Sequence, residues 1–177
     1  HQVVVFDDDP SDDQPARLWL IGGNDGQRSN EVWSSRDGLR WSKHESDQRF
    51  PPRAFHQAAV FDGRIWLVGG EDVNGNLVDD IWASEDGINW FEQGDTIAPG
   101  SDFVPGAFFH QLTVFDDKLW LTGGNSKNEV FIDSAWTLDS HNATWQEHTA
   151  SGLPSFSYAS VFKNRLWLIS MDPNGAV

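Results

Sequence analysis

Two histidines stand at the same place in two copies of one run. His56-Gln57 opens a segment that continues to Gly69-Gly70, and His110-Gln111 opens a matching one that continues to Gly123-Gly124. Arg53 lies three residues before the first histidine. Imidazole and guanidinium groups gathered at strand heads are equipment for holding or processing a polar ligand such as a sugar. The same repetition has a plainer meaning, because a residue type kept in each copy serves packing or hydrogen bonding of that copy's strand.

A second candidate is Glu71-Asp72-Val73-Asn74-Gly75-Asn76, in which Asp72, Asn74 and Asn76 present oxygen atoms at alternate positions. Calcium loops use that alternation, because a hard cation takes several oxygen ligands. The closing bidentate glutamate of an EF-hand is absent, and Asn-Gly between strands is first of all a turn. The stretch Asp7 to Asp13 reads as a solvated acidic loop, and Asn142-Ala143-Thr144 fits the glycosylation acceptor pattern.

Twelve basic against twenty-seven acidic residues leave a net charge of −15. Such a field repels phosphate backbones and anionic membrane surfaces, so no nucleic-acid partner and no membrane insertion are expected. Without cysteine there is no disulfide, no thiolate metal site and no cysteine nucleophile. No apolar run approaches the ~20 residues that span a bilayer.

The elements that must carry these groups follow from the repeat. Tryptophan before the glycine pair, or its equivalent, falls at 19, 66, 120 and 167, a period of 47, 54 and 47 residues. The first copy starts at His1-Gln2 and carries an eight-residue acidic insertion from Asp8 to Pro15, and the fourth, at Val161 to Ser170, lacks the glycine pair. After each pair comes a second half: Val32-Trp33-Ser34-Ser35 to Trp41, Ile81-Trp82-Ala83-Ser84 to Trp90, and Ala135-Trp136-Thr137-Leu138 to Trp145. All ten tryptophans belong to this pattern. Each unit divides into four short β-type runs, with Asp62-Gly63, Asp37-Gly38 and Asp86-Gly87 expected as two-residue hairpin turns. A four-stranded unit apolar on both faces cannot bury them alone, so such units stack around an axis.

A glycine pair, a spaced aromatic and a second Trp closing a period of about fifty residues resemble the kelch repeat. The resemblance implies an all-β kelch-type β-propeller of about three and a half four-stranded blades, approximately 1–50, 51–103, 104–152 and a partial 153–177. It further implies that this stretch is part of a larger propeller of six to eight blades, with a homodimer as the lesser alternative. Ser35-Arg36-Asp37-Gly38-Leu39-Arg40-Trp41 also resembles the Asp-box of sialidase-like propellers, one residue short, and an Asp-box is a hairpin device remote from chemistry. Galactose oxidase, a kelch-propeller enzyme, needs a Cys-linked Tyr, a second Tyr and two His; this chain has no Cys and one Tyr. No cofactor is expected.

In kelch domains the loop entering the innermost strand often supplies contacts. Here it is Phe50 to Phe55 and Phe103 to Phe109. The resemblance therefore implies a module that binds a protein or glycan through Arg53, Phe55, His56, Gln57, Phe108, His110 and Gln111. Its alternative is a carbohydrate-active enzyme, mutarotase- or sialidase-like, with its site at the central channel. No catalytic residue is assigned, and no metal beyond the calcium candidates Asp72, Asn74 and Asn76.

Overall fold

The computed structural model describes residues 1–11, 13–94, 110–123, 134–139, 145–149 and 157–170. Among them every regular element is a β-strand, and the strands form four antiparallel sheets in chain order. The first holds β1 (Gln2–Phe6), β2 (Arg17–Asn24), β3 (Arg28–Ser35) and β4 (Ser42–His44). The second holds β5 (Gln57–Phe61), β6 (Arg64–Val68), β7 (Ile81–Ser84) and β8 (Phe91–Glu92). The third holds β9 (Gln111–Phe115), β10 (Lys118–Thr122), β11 (Ser134–Asp139) and β12 (Trp145–Thr149), and β13 (Ser157–Phe162) pairs with β14 (Arg165–Ser170). The opening strands of successive sheets stand side by side, β1 by β5, β5 by β9 and β9 by β13.

The tryptophan period becomes a fixed register. Trp19 pairs across the ladder with Val4 and Ser34, Trp66 with Ala59 and Ala83, and Trp120 with Thr113 and Thr137. Each second-strand indole donates its Nε1–H to the carbonyl that closes the first strand: Phe6 at 3.3 Å, Phe61 at 3.0 Å, Phe115 at 3.0 Å and Phe162 at 3.1 Å. At Trp19 and Trp66 a large apolar ring is thereby buried with its one polar atom satisfied.

Successive side chains along a strand point to opposite faces, and β6 uses both. Ile65 and Leu67 pack with Phe6, Trp19, Ile21, Val32, Phe50 and Trp90 in the seam with the first sheet. Trp66 and Val68 join Leu112, Leu119, Leu121, Trp136 and Leu138 in the seam with the third. This explains why Ile65 to Val68 is an unbroken apolar run rather than an alternating one.

In the second, third and fourth sheets the first hairpin closes as a mirror-image two-residue turn, with both central residues at positive φ: 49° and 68° at Asp62-Gly63, 52° and 53° at Asp116-Asp117, and 49° and 54° at Lys163-Asn164. The second hairpin departs from the two-residue turn expected at Asp37-Gly38 and Asp86-Gly87. Residues 36–41 form a longer loop between β3 and β4, in which Gly38 alone takes positive φ. Asp37 Oδ1 accepts the N–H groups of Leu39 and Arg40, both at 2.8 Å, and Trp41 Nε1–H donates to the Gly38 carbonyl at 3.2 Å. Asp86, Gly87 and Trp90 repeat the device. The aspartate is a loop scaffold because its carboxylate takes backbone donors that no strand partner reaches.

Gly70 has φ 107°, and a Cβ there would lie 2.6 Å from the Ala54 carbonyl oxygen. Gly70→Ala is expected to cost at least ~2 kcal/mol in urea unfolding. Gly63→Asn, at the place Asn164 occupies in the two-stranded sheet, should stay within about 0.5 kcal/mol of wild type.

Candidate functional site

Gln57, Val68 and Ile81 face one another across the second sheet, so the loop entering β5 and the β6–β7 connection emerge at the same end. Residues 50–56 are stitched there to the first sheet. The Arg53 N–H donates to Ser29 O at 3.0 Å, the Gly23 N–H donates to Arg53 O at 3.0 Å, and Ala54 and Glu71 exchange backbone bonds.

Arg53 lies beneath this stitching, 1% exposed. Its guanidinium meets the Asp80 carboxylate through both terminal nitrogens, Nη2 at 2.6 Å from Oδ2, and Nη1 also donates to Gly69 O at 3.0 Å. Trp82 Nε1–H donates to the same Asp80 Oδ2 at 2.8 Å. A bidentate pair with these added bonds holds the loop against the β6–β7 connection. Removing Asp80 would strand the buried guanidinium.

His56 and His110 are each 1% exposed. His56 Nε2 lies 3.1 Å from Ile21 O and His110 Nε2 3.4 Å from Val68 O, so in each seam an imidazole reaches the same carbonyl of the preceding sheet. A ring nitrogen facing a carbonyl must carry the proton, which leaves Nδ1 as the bare acceptor. Nδ1 has no hydrogen-bond partner among the described residues in either ring. Burial above all, then the nearby amino terminus and Arg53, pushes His56 down to about 3; burial pushes His110 down to about 4. Both rings are neutral struts. Gly22 makes room for the first, since a Cβ there would stand 2.9 Å from His56 Cε1.

Of the remaining sequence candidates, Gln57 and Gln111 are half-buried at the starts of β5 and β9, and Phe108 lies outside the described residues. Phe55 differs from all of them. It is 47% exposed and takes φ 60°, a conformation rare for an aromatic residue. The Arg28 guanidinium sits over its ring, 5.1 Å from the centroid, and is ion-paired with Glu71. Beside them a groove of about 400 Å³ runs between Gly26, Gln27, Arg28, Glu71, Asp72 and Val73. Nothing in the residue pattern marks Arg28 or Glu71, because neither recurs between copies and their meeting depends on two loops from different sheets.

Of the calcium candidates Asp72, Asn74 and Asn76, Asp72 turns its carboxylate into its own loop. Asp72 Oδ1 accepts the N–H groups of Asn74 and Asn76, both at 2.8 Å, and Oδ2 accepts Asn76 Nδ2–H at 3.1 Å. These donors, the Asn76 N–H first, hold the carboxyl below the ordinary aspartate range. The loop already supplies the positive ends that a cation would bring. Among the described residues no group of three or more His, Asp or Glu side chains is placed to hold a metal ion.

Residues 4–148 match the DUF6242 beta propeller domain. The chain belongs to that family. The four-stranded antiparallel sheets are thus blades of a DUF6242 β-propeller, with β1, β5, β9 and β13 as neighbouring strands of successive blades. The propeller is also similar to two curated proteins. It is 30% identical over 108 residues to Ras guanine nucleotide exchange factor F of Dictyostelium discoideum, covering 58% of this chain and 9% of that protein. It is 29% identical over 161 residues to the flagellar outer arm dynein alpha chain of Chlamydomonas reinhardtii, covering 84% of this chain and 3% of that one. The chain therefore spans under a tenth of either relative.

The buried imidazoles make stability depend on pH. The unfolded chain takes up protons below about pH 6.5, whereas folded His56 and His110 refuse them until about 3 and about 4. Urea unfolding should show stability falling as pH drops from 6.5 toward 4, by roughly 3 kcal/mol for His110. A His110→Gln chain should lose about half of that limb.

Proposed function

We propose that this propeller is a binding module of kelch type, and that its ligand surface is the loop end carrying Phe55, Arg28 and Glu71. The observation that carries this reading is Phe55 itself. A half-exposed aromatic held at φ 60° gains nothing for the core and costs on the order of 1–3 kcal/mol of backbone strain, which is found where a ligand is met. The ring is capped by the Arg28 guanidinium, which itself lines a groove with carboxylates at Glu71 and Asp72. Aromatic platforms with adjacent hydrogen-bonding groups suit a glycan or a protein loop.

The size of the relatives supports a module. A propeller that matches 9% of one large protein and 3% of another fits a part that docks something for its host. The carbohydrate-active alternative would draw its acid, base and arginine from the channel end of the inner strands. Arg53, His56 and His110 are the groups there, and each is committed to interior partners.

We read the outer faces of the arc as seats for more blades of the same ring, or for a second copy. Val3 and Val5 on β1, and Phe162, Trp167 and Ile169 on β13 and β14, are exposed where Ala58, Val60, Phe61, Trp66 and Val68 of the second blade pack in seams.

The test is a printed glycan array and a displayed peptide library, each probed with wild type and with Phe55→Asn. Asparagine tolerates positive φ, so this variant keeps or raises the melting temperature while removing the ring. Ligands that lose at least ~10-fold in affinity for Phe55→Asn support the surface. Ligands indifferent to Phe55→Asn and to Arg28→Ala would place recognition elsewhere.

A further inference from the structure

The second blade displays what a buried guanidinium needs around it. Arg53 takes both oxygens of Asp80 and the Gly69 carbonyl, while Trp82 Nε1–H steadies Asp80 at 2.8 Å. Each of these partners has a counterpart in the first blade: Gly22 stands where Gly69 does, Glu31 where Asp80 does, and Trp33 where Trp82 does. The register agrees, because Trp33 pairs across the ladder with Leu20 as Trp82 pairs with Leu67. The indole again donates to the carboxylate two residues before it, Trp33 Nε1–H to Glu31 Oε2 at 3.1 Å. The strand heads agree as well. A Cβ on Gly23 would lie 2.7 Å from the His1 nitrogen, and one on Gly70 would lie 3.0 Å from that of His56.

These counterparts line one recess of about 180 Å³. Its walls are His1 at the head of β1, Gly22 and Gly23 of β2, and Ser29, Glu31 and Trp33 of β3. It shares no lining residue with the groove beside Arg28 and does not rest on the reading of that groove. Hydrogen bonds from Lys43, then from Trp33, hold the Glu31 carboxyl below the ordinary glutamate range, so it is ionised at neutral pH. Lys43 meets Oε1 from β4, and a carboxylate keeps acceptor positions for further donors. Asp25 adds a second acidic side chain at the rim, and the net charge of −15 draws cations toward the whole surface.

We propose that this recess binds a guanidinium group, the head of an arginine side chain, which lies against Glu31 and Gly22 as that of Arg53 lies against Asp80 and Gly69. The planar fork matches a carboxylate through two parallel bonds, which a point-like ammonium does not do. Arginine of the same polypeptide, borne by residues ahead of His1, and arginine of another molecule present the same chemistry to the recess.

The probe is N-acetyl-arginine methylamide, titrated by two-dimensional NMR against the Trp33 indole N–H, with the corresponding lysine and citrulline derivatives beside it. Wild type should bind the arginine derivative saturably with a low-millimolar Kd, and the other two at least ~5-fold more weakly. Glu31→Gln keeps an acceptor for Trp33 at a half-exposed position, so it should fold as wild type does and lose at least ~5-fold in affinity. Phe55→Asn should bind as wild type does; a loss there would put the probe in the groove and overturn the proposal. Two longer chains identify the source: one carries Pro-Pro-Arg-Ala-Phe, copied from residues 51–55, ahead of His1, and the other the same segment with alanine for its arginine. If only the arginine-bearing chain excludes the probe, the recess seats an arginine of the same polypeptide; if both still bind it, the arginine belongs to another molecule. No saturable binding by wild type below ~50 mM, lysine binding as tight as arginine, or binding that Glu31→Gln leaves undiminished overturns the proposal.

Discussion

Close approach between neighbouring sheets is the constraint on which the molecule rests. Each sheet is apolar on both faces, so burial is gained only when another sheet arrives within van der Waals contact, at about 25 cal/mol per Å² of apolar surface removed from water. That approach brings backbones together at the strand ends, and there the paired glycines become necessary. Gly22 gives way to His56, Gly70 to the Ala54 carbonyl, and Gly87 to the six-membered ring of Trp19, 2.6 Å from where its Cβ would be. Polar groups caught in the seams meet partners there: an imidazole for the Ile21 carbonyl, another for Val68, and Asp80 for Arg53.

From this constraint the division of labour along each repeat follows. Residues that recur are the ones the seam requires, namely the second-strand tryptophan, the histidine at the head of the inner strand, and the loop aspartate. Residues that do not recur are free to differ, and those include Arg28, Phe55 and Glu71. Variation on a repeated frame is how a scaffold acquires sites without losing its core.

The same division explains what could be read from residue order. Periodic tryptophans are sufficient to set strand pairing, because a one-residue slip would turn every seam residue to the wrong face. The histidines were legible as recurrent and hence as serving the strand, and burial shows how: both reach back to the preceding sheet. The second hairpin was misread as a two-residue turn, since Asp-Gly is the usual signature of one, and only the carboxylate bonds to Leu39 and Arg40 reveal the longer loop. Phe55 was named with its neighbours, but its left-handed backbone was invisible, because nothing in Ala-Phe-His distinguishes an aromatic turned outward from one in the core. Arg28 with Glu71 could not be found at all, as the pair joins residues forty-three positions apart on different sheets.

Backbone hydrogen bonds run along ladders inside each sheet, while the first seam is crossed mainly by side-chain packing and by a shorter set of polar bonds, such as Arg53 to Ser29 and Trp90 to Gln48. The structure is therefore stiff across the width of a blade and more yielding between blades, in the manner of the ribs of a hand fan. The groove beside Arg28 is bounded by the β2–β3 connection of one rib and the β6–β7 connection of the next. Anything lodged in it would touch both ribs at once, so its fit depends on the angle at which the two blades meet.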